Sequence, residues 1–262
     1  MMFYKSTEVS IITSYFNSGY YVSGSFDKIF KFCNQISNKK KEIILVNDGS
    51  QDSTFLILKK TIKKKQYKKP NIFVKLINLK NNYGQAGAYI TGMLHAKGKK
   101  IFIVEGDFIL EKEIDLNKVY KKYLKLEKKG KDLLIFEKKF LFRNAFDDIL
   151  SFIFWKIYFF TSGIKLKKNI CWTRIFNQKL LKKIFQYKNL EFLSNKIFLE
   201  KCIGYEIQFF AKKYKGFSTY TFITKLKLAI KLIFYSFLNL KKEKIKEIKK
   251  KYNNRIEILI KN

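Results

Sequence analysis

The chain has 262 residues, enough for one large α/β core or at most two small ones, and its 47% hydrophobic and 17% aromatic content excludes a disordered chain. A formal net charge of +34 points to an anionic partner: nucleic acid, an acidic membrane face or a phosphorylated substrate. Only Arg143, Arg174 and Arg255 among the 55 basic residues are arginine. Lysine shares A/T-rich codons with the abundant Ile, Asn, Phe and Tyr, so base composition accounts for surface lysines as readily as a binding role does. Where arginine occurs, its planar fork is the better candidate for a specific contact. Cys33, Cys171 and Cys202 are odd in number and lack metal-ligand spacing, which argues against a disulfide framework or a zinc site and fits a reducing cytosol.

From the N-terminus, residues 1–5 run directly into a strand without a charged-then-apolar leader, so no secretory signal is expected. Strand patterns at 8–13, 42–47, 72–79 and 101–105 alternate with helical patterns near 20–37, 52–66 and 85–97. Such alternation predicts a mainly parallel sheet with helices on both faces. A helix near 114–127 and a strand at 133–136 follow. The second half reads as an aromatic segment at 146–163, a strand at 170–176, helices at 177–186 and 191–202, a strand at 205–210 and an amphipathic helix at 221–240. Residues 241–262 are rich in Lys and Glu and read as a charged, solvated helical tail. No repeat or Pro-rich linker divides the chain. The expectation is one domain over 1–240, with functional halves at 1–130 and 131–240.

Three apolar runs end on polar or acidic residues: Glu8-Val-Ser-Ile-Ile-Thr-Ser-Tyr-Phe-Asn17, Glu42-Ile-Ile-Leu-Val-Asn-Asp-Gly-Ser50 and Ile101-Phe-Ile-Val-Glu-Gly-Asp107. This is the pattern of parallel strands whose carboxyl ends open into a ligand crevice. Asn17, Asp48, Glu105 and Asp107 then share one edge of one sheet, where converging carboxylates need a cation or hydrogen-bonding ligand. Asp48 can accept the imide N–H of a uracil or the N–H groups of a guanine, or it can belong to a plain Asp-Gly turn. With only Gly106 between them, Glu105 and Asp107 can reach one divalent metal and a ribose.

Taken together and in this order, these segments resemble family 2 glycosyltransferases of the GT-A fold, and most of all the polyprenol-phosphate sugar transferases. Asn82-Tyr-Gly-Gln-Ala-Gly-Ala88 with Gly92-Met-Leu-His-Ala-Lys-Gly98 resembles the family's donor-side helix. Thr173-Arg-Ile-Phe176 resembles its arginine-bearing strand, and Lys215-Gly-Phe-Ser-Thr-Tyr-Thr221 its acceptor-phosphate loop. The resemblance implies an α/β, Rossmann-like, mostly parallel sheet and an inverting transfer of a sugar from a nucleotide diphosphate sugar to a polyprenyl phosphate. It implies nucleotide-sugar contacts at Ser14, Phe16, Asn17, Asn47, Asp48, Gly84 and Glu105. It further implies Mg2+ or Mn2+ at Asp107 and Glu105, catalytic roles for Asp107 and Arg174, and acceptor-phosphate contacts at Arg174, Lys213, Ser218 and Tyr220. His95 in the donor-side helix reads as a packing residue. Ser14, Ser18, Asn47, Glu105, Ile109 and Trp172 depart from the family's usual residues, which leaves a catalytically altered homologue as one alternative. A saccharide acceptor is another.

Residues 149–164 are too short for a span of roughly 20 residues, and 222–240 is interrupted by Lys225, Lys227 and Lys231. Both read as interfacial helices beside an anionic membrane surface. Lys241 to Lys251 cannot enter a bilayer core, because each lysine there costs about 2.5–3.5 kcal/mol. A peripheral location on the inner membrane face, with no transmembrane helix, is therefore expected. Nucleic acid is not expected as a partner, since charge alone supports it and no recognised module is present. Oligomeric state is left open by the sequence.

Overall fold

The computed structural model describes residues 6–107, 109, 114–140, 145–162, 170–212, 222–236 and 242–261. Strands β1 (Val9–Tyr15), β2 (Lys41–Asn47), β3 (Ile72–Leu79) and β4 (Lys100–Ile103) form a parallel block in the order β4-β1-β2-β3. Their crossovers carry helices α1 (Val22–Ile36), α2 (Thr54–Ile62) and α3 (Gly84–Leu94). The remaining elements are α4 (Leu116–Lys128), β5 (Leu133–Phe140), α5 (Ala145–Ser162), β6 (Ile170–Asn177), α6 (Gln178–Ile184), α7 (Leu190–Lys201), β7 (Tyr205–Lys212), α8 (Phe222–Ser236), α9 (Ile245–Asn253) and β8 (Ile256–Lys261). Together the strands make an eight-stranded sheet in the order β7-β5-β6-β4-β1-β2-β3-β8. β6 and β8 run antiparallel to their neighbours, while β5 and β7 are parallel to each other.

The pleat divides the core in two. Ile11, Ile43, Leu45, Val74 and Phe102 point to the side of α1, α2 and α4, where Phe26, Leu58 and Tyr123 meet them. Ile12, Ile44, Val46, Ile77 and Ile103 point to the opposite side, against Tyr89 of α3, Phe198 of α7 and Tyr252 of α9. All seven residues of β2 are buried, as expected for a central parallel strand covered on both faces. The apolar runs read from the sequence therefore form the middle of the sheet, and their carboxyl ends share one edge.

The expectation of a solvated helical tail at 241–262 is corrected here. Alternating Ile256, Ile258 and Ile260 form β8, which pairs antiparallel with β3 and closes that edge of the sheet. Just before it, α9 turns Ile248 and Tyr252 into the core, leaving each 2% exposed. Lys and Glu occupy most of the remaining positions of α9, so composition concealed an amphipathic helix.

Ile248→Ala should therefore lower stability by about 2–5 kcal/mol, the usual cost of truncating a buried aliphatic side chain to alanine. Urea denaturation measures it, and an unchanged midpoint would return the segment to solvent.

Candidate functional site

Sheet order places the site. β1 lies between β2 and β4, so chain connections diverge there and leave a crevice beyond the strands' carboxyl ends. Register aligns Tyr15, Asn47 and Asn78 across the tips of β1, β2 and β3.

The loops beyond these tips are held together by hydrogen bonds. The Asn17 N–H donates to Ser50 Oγ (3.0 Å), and Asn17 Oδ1 accepts from the Gln51 N–H (2.9 Å). Asn17 does this at φ 46°, a left-handed conformation that asparagine tolerates better than most residues. The Ser18 N–H donates to Thr54 Oγ1 (2.7 Å). Gly49 has φ +63°, and a Cβ there would lie 2.3 Å from the carbonyl carbon of Asn81. The Asp-Gly turn is thus pressed against the segment after β3, where a side chain has no room.

Asp48 stands at the tip of β2 and is 3% exposed. Its Oδ1 accepts the Tyr83 N–H (2.8 Å) at the entrance to α3. Burial raises its pKa to about 6, against the opposing effect of backbone hydrogen bonds from Tyr83 and Gly84. The carboxylate therefore docks the start of α3 onto β2. Gly84, with φ +78°, begins that helix. Asn47 is 1% exposed, and its Nδ2 donates to Asn78 Oδ1 (2.6 Å).

A cavity of about 280 Å³ opens at these tips, lined among others by Phe16, Gly49, Asn78, Lys80, Asn82 and Glu257. Of the nucleotide-sugar residues expected from the sequence, Phe16 lines it directly. Asn17 fastens the Ser50–Gln51 wall. Asn47 and Asp48 are not in the lining: Asn47 holds Asn78, and Asp48 holds the turn that follows Asn82. Asn78, Lys80 and Glu257 were not anticipated. The Ile256–Ile260 alternation was the available signal for the last, since it marks a strand.

The second cluster lies beyond β4. Glu105 is 5% exposed, its Oε1 accepts the Trp172 N–H (2.8 Å), and its own N–H donates to Thr173 Oγ1 (3.3 Å). It fastens the end of β4 to β6. Gly106, the next residue, packs against β1, where a Cβ would lie 2.7 Å from the Tyr15 ring. Asp107 is partly exposed. Burial chiefly raises the pKa of both Tyr21 and Tyr89, and the Asp107 charge adds to each, which places the carboxylate near both phenols. A hydrogen bond from Ser14 acts in the opposite direction on Tyr89, so Ser14 supports this cluster.

Arg174 departs from its expected place as an acceptor-phosphate contact. It is 0% exposed, lying between the rings of Trp172 and Phe198 with its guanidinium carbon 4.7 Å from each centroid. Nε donates to the Trp172 carbonyl (3.2 Å), and Nη2 donates to the Cys171 carbonyl and Asn195 Oδ1, both at 2.9 Å. Burial pushes its pKa down to about 10, partly offset by Cys171 and Glu105. Period-two alternation puts Trp172, Arg174 and Phe176 on one face of β6, and α7 covers that face. Arg174 fastens β6 to α7 in this structure. Lys213, Ser218 and Tyr220 lie outside the described residues.

The donor set fits a divalent ion bound together with a diphosphate. Among the described residues no group of three or more His, Cys, Asp or Glu side chains could hold a metal by itself. Mg2+ in phosphate-transfer sites needs only one or two carboxylates, the phosphates and water supplying the rest. Asp107, partly exposed at the end of the β4 segment, is a residue that could supply such a carboxylate, and Glu105 has one oxygen on the Trp172 N–H.

A family model described as "Glycosyl transferase family 2" matches residues 10–185. The dolichyl-phosphate beta-glucosyltransferase of Dictyostelium discoideum is 28% identical over 195 residues, covering 70% of this chain and 58% of that protein. The chain thus spans somewhat over half the length of this relative. S. aureus TarS, solved with UDP-GlcNAc, superposes with a TM-score of 0.55 at 18% identity, over 95% of this chain and 72% of that one. Glucosyl-3-phosphoglycerate synthase from Mycobacterium tuberculosis, solved with Mn2+, UDP and glucosyl-3-phosphoglycerate, also gives 0.55, at 9% identity over 90% and 86% of the two chains. These likenesses agree with the α/β, mostly parallel GT-A fold.

The raised pKa of Asp48 has a signed consequence. Its contribution to stability is full below its ordinary value of 3.8 and is lost as pH rises through about 6. The melting temperature of the wild type relative to Asp48→Asn should therefore fall between about pH 4 and pH 7. A constant difference across that range would contradict the burial of this carboxylate.

Proposed function

Because this chain belongs to glycosyl transferase family 2, we propose that it moves a sugar, with inversion, from a nucleotide diphosphate sugar to a polyprenyl phosphate at the inner membrane face. The observation that carries this reading is the pairing of the strand-tip cavity with the Glu105–Asp107 cluster across the β2-β1-β4 edge. The cavity would take the nucleoside. Asp107 would hold Mg2+ or Mn2+ on the diphosphate, and that ion, when bound, supplies charge stabilisation to the leaving oxygens. Glu105, fixed by the Trp172 N–H, would orient the Gly106–Asp107 turn and the ribose. An acceptor phosphate oxygen would form the new bond to the anomeric carbon as the bond to the nucleotide diphosphate breaks.

Trp172 supports a phosphate acceptor over a saccharide one. A saccharide hydroxyl needs a base near the anomeric carbon, and at position 172, where the family resemblance would put an aspartate, this chain has an indole packed 5.3 Å from the Tyr89 ring. A phosphate monoester loses its second proton near pH 6 and needs no such base. Lys213, Ser218 and Tyr220 remain the proposed acceptor-phosphate contacts. Arg174 would act by positioning β6 rather than by direct contact.

The surface supports a lipid acceptor. α5 and α8 pack together and expose Ile149, Phe152, Ile153 and Phe160 from one, and Ile223, Leu226, Ile230 and Phe234 from the other. Exposed apolar residues so concentrated mark an interaction surface. Lys156, Lys227 and Lys231 lie among them, and lysines near an anionic membrane gain about 1 kcal/mol each. Among the described residues, no helix is long and apolar enough to cross a membrane, so the proposed attachment is peripheral.

Two measurements test this reading. Asp107→Asn should reduce glycolipid formation by at least about a hundredfold, since loss of metal stabilisation removes several kcal/mol, while the melting temperature stays near wild type. Near-normal turnover would remove Asp107 from the metal site. In flotation, the protein should bind anionic liposomes and release as salt approaches 1 M, where the Debye length is about 3 Å. Binding indifferent to lipid charge and salt would contradict peripheral electrostatic attachment.

A further inference from the structure

Glu257 lines the strand-tip cavity although it comes from the last strand of the described chain. Its place there has a backbone cause. Asn78 pairs with Ile258 and Leu79 with Ile256, so Glu257 is the extra residue of a β-bulge between β3 and β8. Bulges turn a side chain away from the regular alternation and recur beside binding sites. The Glu257 carboxylate is held by Asn78, whose Nδ2 donates to Oε2 at 2.7 Å, and Asn78 is in turn held by Asn47 through a 2.6 Å bond. A relay of three side chains across β2, β3 and β8 thus fixes one carboxylate oxygen. Among the described residues, nothing is bonded to the other.

The segment is anchored on both sides. The Lys80 N–H donates to the Arg255 carbonyl (2.9 Å), and Arg255 Nη1 pairs with Glu191 at 2.6 Å while its guanidinium sits 4.4 Å from the centre of the Tyr83 ring. β8 is therefore a fixed wall of the cavity.

We infer that Glu257 is a specificity-determining residue that reads the nucleobase, its Oε1 accepting a ring N–H while Phe16 offers an aromatic face. This rests on the reading of the cavity as a nucleoside site. A carboxylate facing a nucleotide diphosphate repels it unless the base presents a donor, and Lys80, which lines the same cavity, offsets part of that repulsion. Uracil and guanine each carry a ring N–H on the edge opposite the sugar, so both satisfy the chemistry. Asp48, by contrast, is buried outside the lining with Oδ1 engaged by Tyr83.

The test is calorimetric titration, with divalent metal present, of UDP, GDP and their ring-methylated forms, N3-methyl-UDP and N1-methyl-GDP. Methylation removes the N–H and leaves the diphosphate unchanged. Wild type should bind UDP or GDP at least about tenfold more tightly than its methylated form, as expected for a hydrogen bond to a charged group. Glu257→Leu should close that gap, and the near-isosteric Glu257→Gln should narrow it if the leucine variant fails to fold. A gap that persists in a folded Glu257 variant, or that is lost only in Asp48→Asn, overturns the inference while leaving the cavity a nucleotide site. A wild type that binds the parent and methylated nucleotides equally overturns it too. Failure to bind any nucleoside diphosphate overturns the functional reading along with it.

Discussion

Carboxylates withdrawn from water at strand tips must be met by donors, and in this protein main-chain N–H groups meet them. Asp48 takes the Tyr83 N–H, and Glu105 takes the Trp172 N–H. Each bond joins the tip of a parallel strand to a segment distant in sequence: β2 to the entrance of α3, and β4 to β6. Hydrogen bonds to an ionised acceptor are worth roughly twice neutral ones, and losing a buried partner exposes the full desolvation penalty. The crevice is thereby held by hydrogen bonds of the fold itself. Such preorganisation matters for transfer chemistry, because a misplacement of about 1 Å can cost about a hundredfold in rate.

The tip carboxylates also divide the labour between structure and chemistry. The two most buried, Asp48 and Glu105, each accept a main-chain N–H, and they shape the crevice. Asp107, one residue past Gly106, is more exposed, as suits a group proposed to meet a metal and a diphosphate. Arg174 follows the same logic with opposite charge, since two backbone carbonyls, an amide and two aromatic faces surround it. A buried guanidinium held through Nε and Nη2 in this way is a structural clasp, and its Nη1 has no hydrogen-bond partner among the described residues.

The parallel block was legible because its strands are buried on both faces, and an uninterrupted run such as Ile43-Ile-Leu-Val46, too short for a helix and bounded by a turn, suits a central strand. The tip residues were legible for the same reason, since Asn47-Asp-Gly-Ser50 follows such a run. Which tip groups face the cavity was not. Asn47 and Asp48 are neighbours of the lining in sequence, but their side chains are turned to Asn78 and Tyr83, and those partners are set by packing of β3 and α3. Arg174 shows the same limit: alternation gives its face, and only α7, with Asn195 and Phe198, determines that the face is closed. The C-terminal segment was misjudged because lysine and glutamate dominate it, although Ile248 and Tyr252 carry its helical stripe and Ile256, Ile258 and Ile260 its strand. The bulge that turns Glu257 toward Asn78 leaves no mark in composition or periodicity.

The activity proposed for this crevice is transfer of a sugar to a lipid phosphate. The most direct measurement incubates the purified protein with a panel of radiolabelled nucleotide sugars, Mg2+ or Mn2+, and polyprenyl phosphate in anionic vesicles, followed by extraction into organic solvent. The account predicts label in the organic phase for at least one nucleotide sugar, dependent on both the divalent ion and the lipid phosphate. Label transferred to a soluble saccharide but never to the lipid would contradict it.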